Sequence, residues 1–596
     1  MSEPAFTTRP ELQGTFGMVA STHWLASASG MAVLEKGGNA FDAAVAAGFV
    51  LQVVEPHLNG PGGDMPAILY DTRRRETVVL CGQGPAPAAA STETFNRLGL
   101  DMVPGTGLLA ACVPGATSAW LRMLAEFGSL GLGDVLEYAI AYAENGYPLV
   151  WRISDAIAKV ESLFRQEWPE SARIYLQGGV PQPGTLFRNR DLAATYRGLL
   201  DAAKAAGRGR ETQIEAAMRS WHEGFVAEAI DTYCRSAEVL DVSGRRHSGL
   251  LTGHDLAGWR PSVEAAVSYD YRDWRVFKCG PWSQGPVFLQ QLSLLAGFDL
   301  AGMDPSGADF MHTVVECANL AFSDREAWYG DPLFTPDRVP ALLEPGYAAA
   351  RRALVGTTAS SDLRPGSPAG RSPRLPDYGE VPADEDVSGL GDPTTGPAGV
   401  VRGDTCHVDV ADRLGNMVSA TPSGGWLQSS PVIPGLGFAL GTRAQIFTLQ
   451  PGLPNSLEPG KRPRTTLSPS LAHRDGGARL AFGTPGADQQ DQWSLTFFVR
   501  LVDHAGTLQE HIDAPMFHTD SFPRSFYPHH RFPGRLVVEG GVAPETLAEL
   551  RRRGYDVQVS EPWTLGRLSA VAGDAKVGLL RAAANARSMQ GYAVGR

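Results

Sequence analysis

The chain has 596 residues, more than one ordinary core of roughly 100–200 residues supplies, so a large layered body or several domains is expected. Its net charge is −12, from 52 Lys and Arg against 64 Asp and Glu, and no basic run offers a nucleic-acid surface. No stretch approaches the ~18 apolar residues of a membrane span, and the opening residues 1–9 carry no apolar signal core, so neither membrane insertion nor export is expected.

In chain order, residues 22–35 have a helical pattern that Gly37-Gly38 breaks. Asn39 then suits the N-cap of a second helix running to Val54, which Glu55-Pro56 ends. Residues 67–70 and 77–80 read as strands around a charged turn. Helical segments dominate 107–165 and 190–235. Residues 276–279 read as a strand, followed by a helix from about Val287. Residues 355–402 are rich in Pro, Gly, Ser, Asp and Arg. They hold too little apolar surface to offset ordering entropy, and a mobile arm is expected there. The alternation Val408-Asp409-Val410-Ala411-Asp412 predicts a half-buried strand, residues 413–416 a hairpin turn, and 417–421 the returning strand. The chain closes with a strand at 536–538, a helix at 544–553, and strands through 571 and at 578–580. No internal repeat is visible. Six cysteines (81, 112, 234, 279, 317 and 406) lack paired spacing, which predicts free thiols in a reducing compartment, the cytoplasm by default.

Between the loose arm and the strand lies Gly403-Asp404-Thr405-Cys406-His407. A threonine hydroxyl is a poor nucleophile without an adjacent base, and its own α-amine can be that base once the preceding peptide bond is cut. A threonine opening a strand after a cleavable segment is what a self-processing N-terminal-nucleophile hydrolase requires. The same pentapeptide also suits a buried strand threonine beside a turn. Cys406 is placed on the opposite strand face, where core packing is the expected role. Asn59-Gly60-Pro61-Gly62-Gly63-Asp64 could suggest a phosphate cradle, but it follows a helix and lacks the Lys-Ser/Thr of a P-loop, so a structural turn is expected. His518, Asp520, His529 and His530 match no zinc spacing and are expected in a solvated loop.

The chain resembles the γ-glutamyltransferases (γ-glutamyltranspeptidases, glutathione hydrolases) over nearly its whole length. The likeness rests on Gly17-Met18-Val19-Ala20-Ser21, on Leu34 through Ala46, and on Met311-His312 through Arg325 with Tyr329-Gly330-Asp331-Pro332. It continues in Lys461 through Pro469, Gly483-Thr484-Pro485-Gly486 and Asp513 through His518. Six separated motifs stand in the family's order. The resemblance implies an α+β fold, the four-layer αββα sandwich of N-terminal-nucleophile hydrolases. It implies autocatalytic cleavage between Asp404 and Thr405 into a large piece, 1–404, and a small one, 405–596. It also implies an amidohydrolase or acyltransferase that works through an acyl-enzyme on Thr405 without metal or cofactor. A small-molecule amide would be the substrate, with room for higher oligomers.

The resemblance extends to single residues. Ser423 stands where the family has a second threonine that contacts the nucleophile. Gly486 and Ala487 stand for the glycine pair whose N–H groups bind the oxyanion. Thr465 and Thr466 replace a serine pair that touches the substrate carboxylate. The glutamyl contacts depart from the pattern. Gln83 replaces the arginine that grips the α-carboxylate, while Gly425, Arg443 and Ile446 replace the Asn, Gln and Asp around the α-ammonium. A buried ammonium without a counter-charge is costly, so poor γ-glutamyl turnover is expected. Arg443 points instead to an acyl group with a carboxylate and no α-amine, such as a glutaryl or oxamate-like mono-amide. A non-catalytic binding descendant is the other reading of these losses.

Overall fold

The computed structural model describes residues 6–378, 405–587 and 590–596. Local chemistry sets the first helices. Asn39 accepts the N–H groups of Phe41 and Asp42, and the Asp42 carboxylate returns a bond to Asn39 N. That reciprocal cap starts helix Ala40–Val54. Every side chain of this helix is buried, so it reads as apolar all round instead of amphipathic. Helix Trp24–Glu35 precedes it, with His23 as N-cap.

Two seven-stranded sheets form the centre. One runs Tyr592–Gly595, Gly17–Ser21, Val408–Asp412, Met417–Ala420, Met65–Asp71, Glu76–Gly82, Ser262–Ala265. The other runs Leu12–Gly14, Leu579–Ala584, Ser569–Asp574, Ala478–Gly483, Ser470–Arg474, Trp274–Lys278, Val267–Tyr271. All neighbours are antiparallel. Met18, Ile68, Tyr70 and Met417 of the first sheet pack on Leu471, Ala481, Val571 and Ala582 of the second. The outer face of the first is covered by helices that include Ala40–Val54, Ala116–Phe127 and Leu132–Asn145. Gly285–Leu295, Ala308–Trp328 and Gln490–Asp503 cover the second. The result is the expected four-layer αββα sandwich.

This burial on both faces revises two readings. Strand Val408–Asp412 is buried at all five positions, not half-buried. Its aspartates point at polar partners instead of water: Asp409 accepts from Ser569 Oγ at 2.9 Å across the sheet interface. Asp412 accepts Ala40 N at 2.9 Å and Leu414 N at 2.9 Å, closing the expected hairpin, where Gly415 has φ 85°. The start of the expected mobile arm is docked. Gly366 N–H reaches the buried Asp324 carboxylate at 2.6 Å, and Trp328 Nε1 donates to Gly366 O at 3.1 Å. A buried carboxylate needs donors, and the arm supplies one. Residues 379–402 lie outside the described residues. The helical reading of 107–165 also starts late, at Ala116, because Gly115 and Ala116 both give their N–H groups to Gly63 O at 2.9 Å.

Asp42 ties this region together, since Ser129 N, Leu130 N and Ser129 Oγ also donate to it, at 2.9, 3.1 and 2.7 Å. Asp42→Ala leaves several buried donors unpaired, and urea unfolding should register a loss of about 3 kcal/mol.

Candidate active site

Thr405 is fully buried and forms an antiparallel bridge with Ser423. Its Oγ1 donates to Ser423 Oγ at 3.3 Å, and Cys406 N donates to Pro422 O at 2.9 Å. Ser423 is clamped in turn: Asp64 N donates to Ser423 O at 2.8 Å and Ser423 N to Asp64 O at 2.9 Å. This approach requires glycine. A Cβ on Gly63 would lie 2.0 Å from Ser423 O, and one on Gly62 2.2 Å from Ala439 O. The Asn59–Asp64 segment is thus the structural turn expected, and it buttresses the hydroxyl pair.

Behind the pair, His407 bridges two strands. Its Nδ1 lies 2.9 Å from Thr421 Oγ1 and its Nε2 2.9 Å from Asp409 Oδ1. Its ring fills the space above Gly483, where a Cβ would come within 2.3 Å. Cys406 packs in the core on the helical side. Its Sγ donates to Glu55 Oε2 at 2.9 Å and accepts from Asn59 Nδ2 at 3.1 Å. Burial holds this thiol well above its ordinary pKa, so the thiolate needed for nucleophilic attack is suppressed.

Gly483 ends its strand and leads into Thr484-Pro485-Gly486-Ala487. Gly486 has φ 127° and Ala487 φ 46°, a left-handed conformation uncommon for alanine. Ala487 opens a 3₁₀ turn, Ala487–Gln489, continuous with helix Gln490–Asp503. N–H groups at such a start have no intrahelical partner and can bind an anion. The turn is held from behind: Gln284 Nε2 donates to Ala487 O at 3.2 Å, and Arg325 Nη1 donates to Gln284 Oε1 at 2.9 Å. Arg325 also pairs with Asp488, whose Oδ2 accepts Ser525 N at 2.8 Å.

On the other side of Ser423, the buried Arg443 grips Asp64 with two bonds, Nε to Oδ2 at 2.8 Å and Nη2 to Oδ1 at 2.9 Å. Arg443 Nη1 has no hydrogen-bond partner among the described residues. The guanidinium lies 5.4 Å from the Trp426 ring centre and 5.5 Å from that of Phe526. Trp426, Ile446, Ala487 and Phe526 form one apolar cluster. Burial raises the Asp64 carboxyl pKa, and Arg443 opposes that rise.

A family model described as gamma-glutamyltranspeptidase matches residues 26–595. The chain belongs to the gamma-glutamyltranspeptidase family. It is similar to the acylase ACY 1 proenzyme of Pseudomonas sp. (strain SE83), 31% identical over 94% of this chain and 90% of the relative. The solved structure of LmbA2991HD superposes with a TM-score of 0.93 at 55% identity, over 99% of this chain and 100% of that one. Cephalosporin acylase from Bacillus halodurans superposes with a TM-score of 0.82 at 27% identity, over 100% and 98%. The fold is that of the family's N-terminal-nucleophile hydrolases, and the chain is a divergent member.

Against that family frame, the structure brings Thr405, Ser423, Gly425 and Arg443 together, with Ala487 joined to them through the Trp426 cluster. A Cβ on Gly425 (φ 69°) would lie 3.0 Å from Ala439 O, so packing accounts for the glycine. Arg443 is charge-matched by Asp64, and its Nη1 remains to offer a ligand. Gln83 is buried, with Nε2 on Gly84 O at 2.9 Å and Oε1 unpartnered among the described residues. Thr465 Oγ1 accepts Leu467 N at 3.4 Å, and Thr466 Oγ1 is unpartnered among the described residues. Ala86 N on Lys461 O at 2.8 Å ties these two stretches together, yet no hydrogen bond joins Gln83 to Arg443, Thr465 or Thr466 among the described residues. Asp404 lies outside the described residues.

The histidine-rich segment is not a solvated loop. His518, Asp520, His529 and His530 are all buried, and burial lowers His518 to about 4. Among the described residues no cluster of His, Cys, Asp or Glu suits a metal ion.

Sequence reasoning missed Asp64, Gln284, Asp488, Trp426 and Phe526. Asp64 carried a signal, ending the glycine turn as a lone carboxylate; the others are set by tertiary contact. Gly63→Ala should push the Ser423 loop off Thr405 and lower turnover about 100-fold, measured on folded protein with an anilide substrate.

Proposed function

We propose that this chain is a self-processing amide hydrolase or acyltransferase, cut between Asp404 and Thr405 into pieces 1–404 and 405–596. Thr405 Oγ1 attacks the Asp404 carbonyl carbon, the peptide C–N bond breaks, and the nitrogen takes the proton as the new α-amine. Water then hydrolyses the resulting ester. In turnover the neutral amine takes the Oγ1 proton as the oxygen attacks a substrate amide. Gly486 and Ala487 N–H groups hold the tetrahedral oxyanion, and the amine hands its proton to the leaving group. Water or a second amine then releases the acyl group from Thr405. The contact that carries this reading is Thr405 Oγ1 to Ser423 Oγ at 3.3 Å, and the proenzyme name of the ACY 1 relative supports the processing step.

The acyl site favours a group without an α-ammonium. Asp64, the carboxylate beside Ser423, is matched by Arg443, so a buried ammonium finds no spare counter-charge there. Trp426, Ile446 and Phe526 suit an apolar acyl body, and Arg443 Nη1 suits an oxygen at its far end. A dicarboxylic mono-amide, glutaryl or shorter, fits that description. Six free, buried cysteines support a reducing compartment such as the cytoplasm, and no helix among the described residues is long and apolar enough to cross a membrane.

On a denaturing gel the purified protein should run as pieces of 404 and 192 residues, and Thr405→Ala should remain one chain. Glutaryl anilide should be cleaved about 100-fold faster than γ-glutamyl anilide, the effect of roughly 3 kcal/mol of unmatched charge. Equal rates would refute the acyl assignment. A wild-type chain that is neither cut nor active would refute the hydrolase reading and leave a binding protein.

A further inference from the structure

We propose that Tyr378 is a positioning residue for the acyl site: stacked on His529, it clamps the turn 524–530 that presents Phe526 to the substrate. This rests on the reading of Trp426, Ile446 and Phe526 as the wall that meets the acyl group. Phe526 is buried, its ring centre 5.8 Å from that of Trp426 and 5.5 Å from the Arg443 guanidinium. Its place follows from the turn that carries it. Arg524 N donates to His530 O at 3.0 Å, and His529 N donates to Phe526 O at 2.8 Å. His529 has φ 63°, a left-handed conformation that persists in a non-glycine residue where its surroundings impose it. Its Nδ1 lies 3.0 Å from Arg524 O. Tyr378 stacks on the His529 ring, centre to centre at 4.3 Å with 19° between the planes. Burial lowers His529 to about 4, so near pH 7 two uncharged rings meet.

Tyr378 is fixed in turn by the segment it belongs to. Arg374 Nη1 donates to Gly452 O at 3.1 Å and its Nη2 to Pro451 O at 3.4 Å. Asp377 N donates to Gln450 Oε1 at 2.9 Å, and Gln450 Nε2 returns a bond to Asp377 O. Side chains that reach main-chain groups from both directions hold residues 374–378 as a strap across 450–452. With the cut placed before Thr405, the strap belongs to the large piece and everything it grips belongs to the small one. The turn 524–530 has further supports at its start and middle. Ser525 N and Oγ donate to Asp488 at 2.8 and 2.6 Å, and Tyr527 N donates to Gln445 Oε1 at 3.3 Å. The stack holds its far limb. Asp488 has its own brace in Arg325, so the turn at Ala487 keeps its place when the stack is lost. Phe526, bonded through its carbonyl to His529 N, moves with the limb. Loss of the stack therefore falls on acyl binding more than on the chemical step.

The test is steady-state kinetics on processed protein with the faster of glutaryl and γ-glutamyl p-nitroanilide. Tyr378→Ala should raise KM about 10-fold, the scale of one aromatic stack, and leave kcat within about 2-fold. Tyr378→Phe, which keeps the ring, should return KM to within about 2-fold of the unmodified protein. His529→Asn, whose side chain tolerates the left-handed φ, should match Tyr378→Ala. The double variant should be no worse than either single one, since both remove the same contact. An unchanged KM in folded Tyr378→Ala overturns the proposal. So does a loss confined to kcat, or single-variant losses that multiply in the double variant. Phe526→Ala separates the strap from the acyl site. If it leaves KM unchanged, the acyl reading fails and takes the proposal with it. If it raises KM while Tyr378→Ala does not, the acyl reading stands and the strap is refuted.

Discussion

Backbone packed against backbone without intervening side chains sets the geometry of this site. Gly62 and Gly63 let the turn after helix Ala40–Val54 lie flush on the chain around Ser423 and Ala439. Gly63 also accepts the first N–H groups of helix Ala116–Phe127. Ser423 is thus fixed to a helix start and a buried turn before any of its side-chain contacts is counted. The Thr405 hydroxyl thus meets a partner whose position is dictated by main-chain bonds.

Around this fixed point, charge is distributed in matched pairs. Arg443 with Asp64 and Arg325 with Asp488 are buried and bidentate or networked. Such pairs contribute little net stability because desolvation offsets attraction. Their value lies in placement: the first sits beside Ser423 and the second fixes the turn that carries Gly486 and Ala487.

Much of the fold was legible in the sequence, because strong local signals agreed with the tertiary outcome. The Asn39 cap, the Gly415 turn and the strand pair at Val408–Asp412 and Met417–Ala420 appear where residue types and period place them. The hydroxyl pair was legible only through resemblance, since nothing in the chain between Thr405 and Ser423, eighteen positions on, is a local sign that the two fold together. Burial was misjudged where alternation suggested water. Asp409 and Asp412 point inward to partners supplied by strands and helices far along the chain, and no period-2 pattern encodes a second sheet above the first. The histidine segment failed for the same reason. Arg443 was assigned a role from its own charge, while the carboxylate that matches it sits 379 positions earlier.

The strands Val408–Asp412 and Met417–Ala420 are threaded between Gly17–Ser21 and Met65–Asp71, so segments from before and after Thr405 alternate in one hydrogen-bonded ladder. A break in the covalent chain ahead of Thr405 leaves every rung of that ladder intact, and the severed halves stay married without a tether. Once melted apart they face a two-body search where the original polypeptide had a one-body one, so recovery from denaturant becomes dependent on dilution. Longevity of the mature particle is then governed by how slowly the ladder opens, a barrier, more than by the free energy separating folded from unfolded.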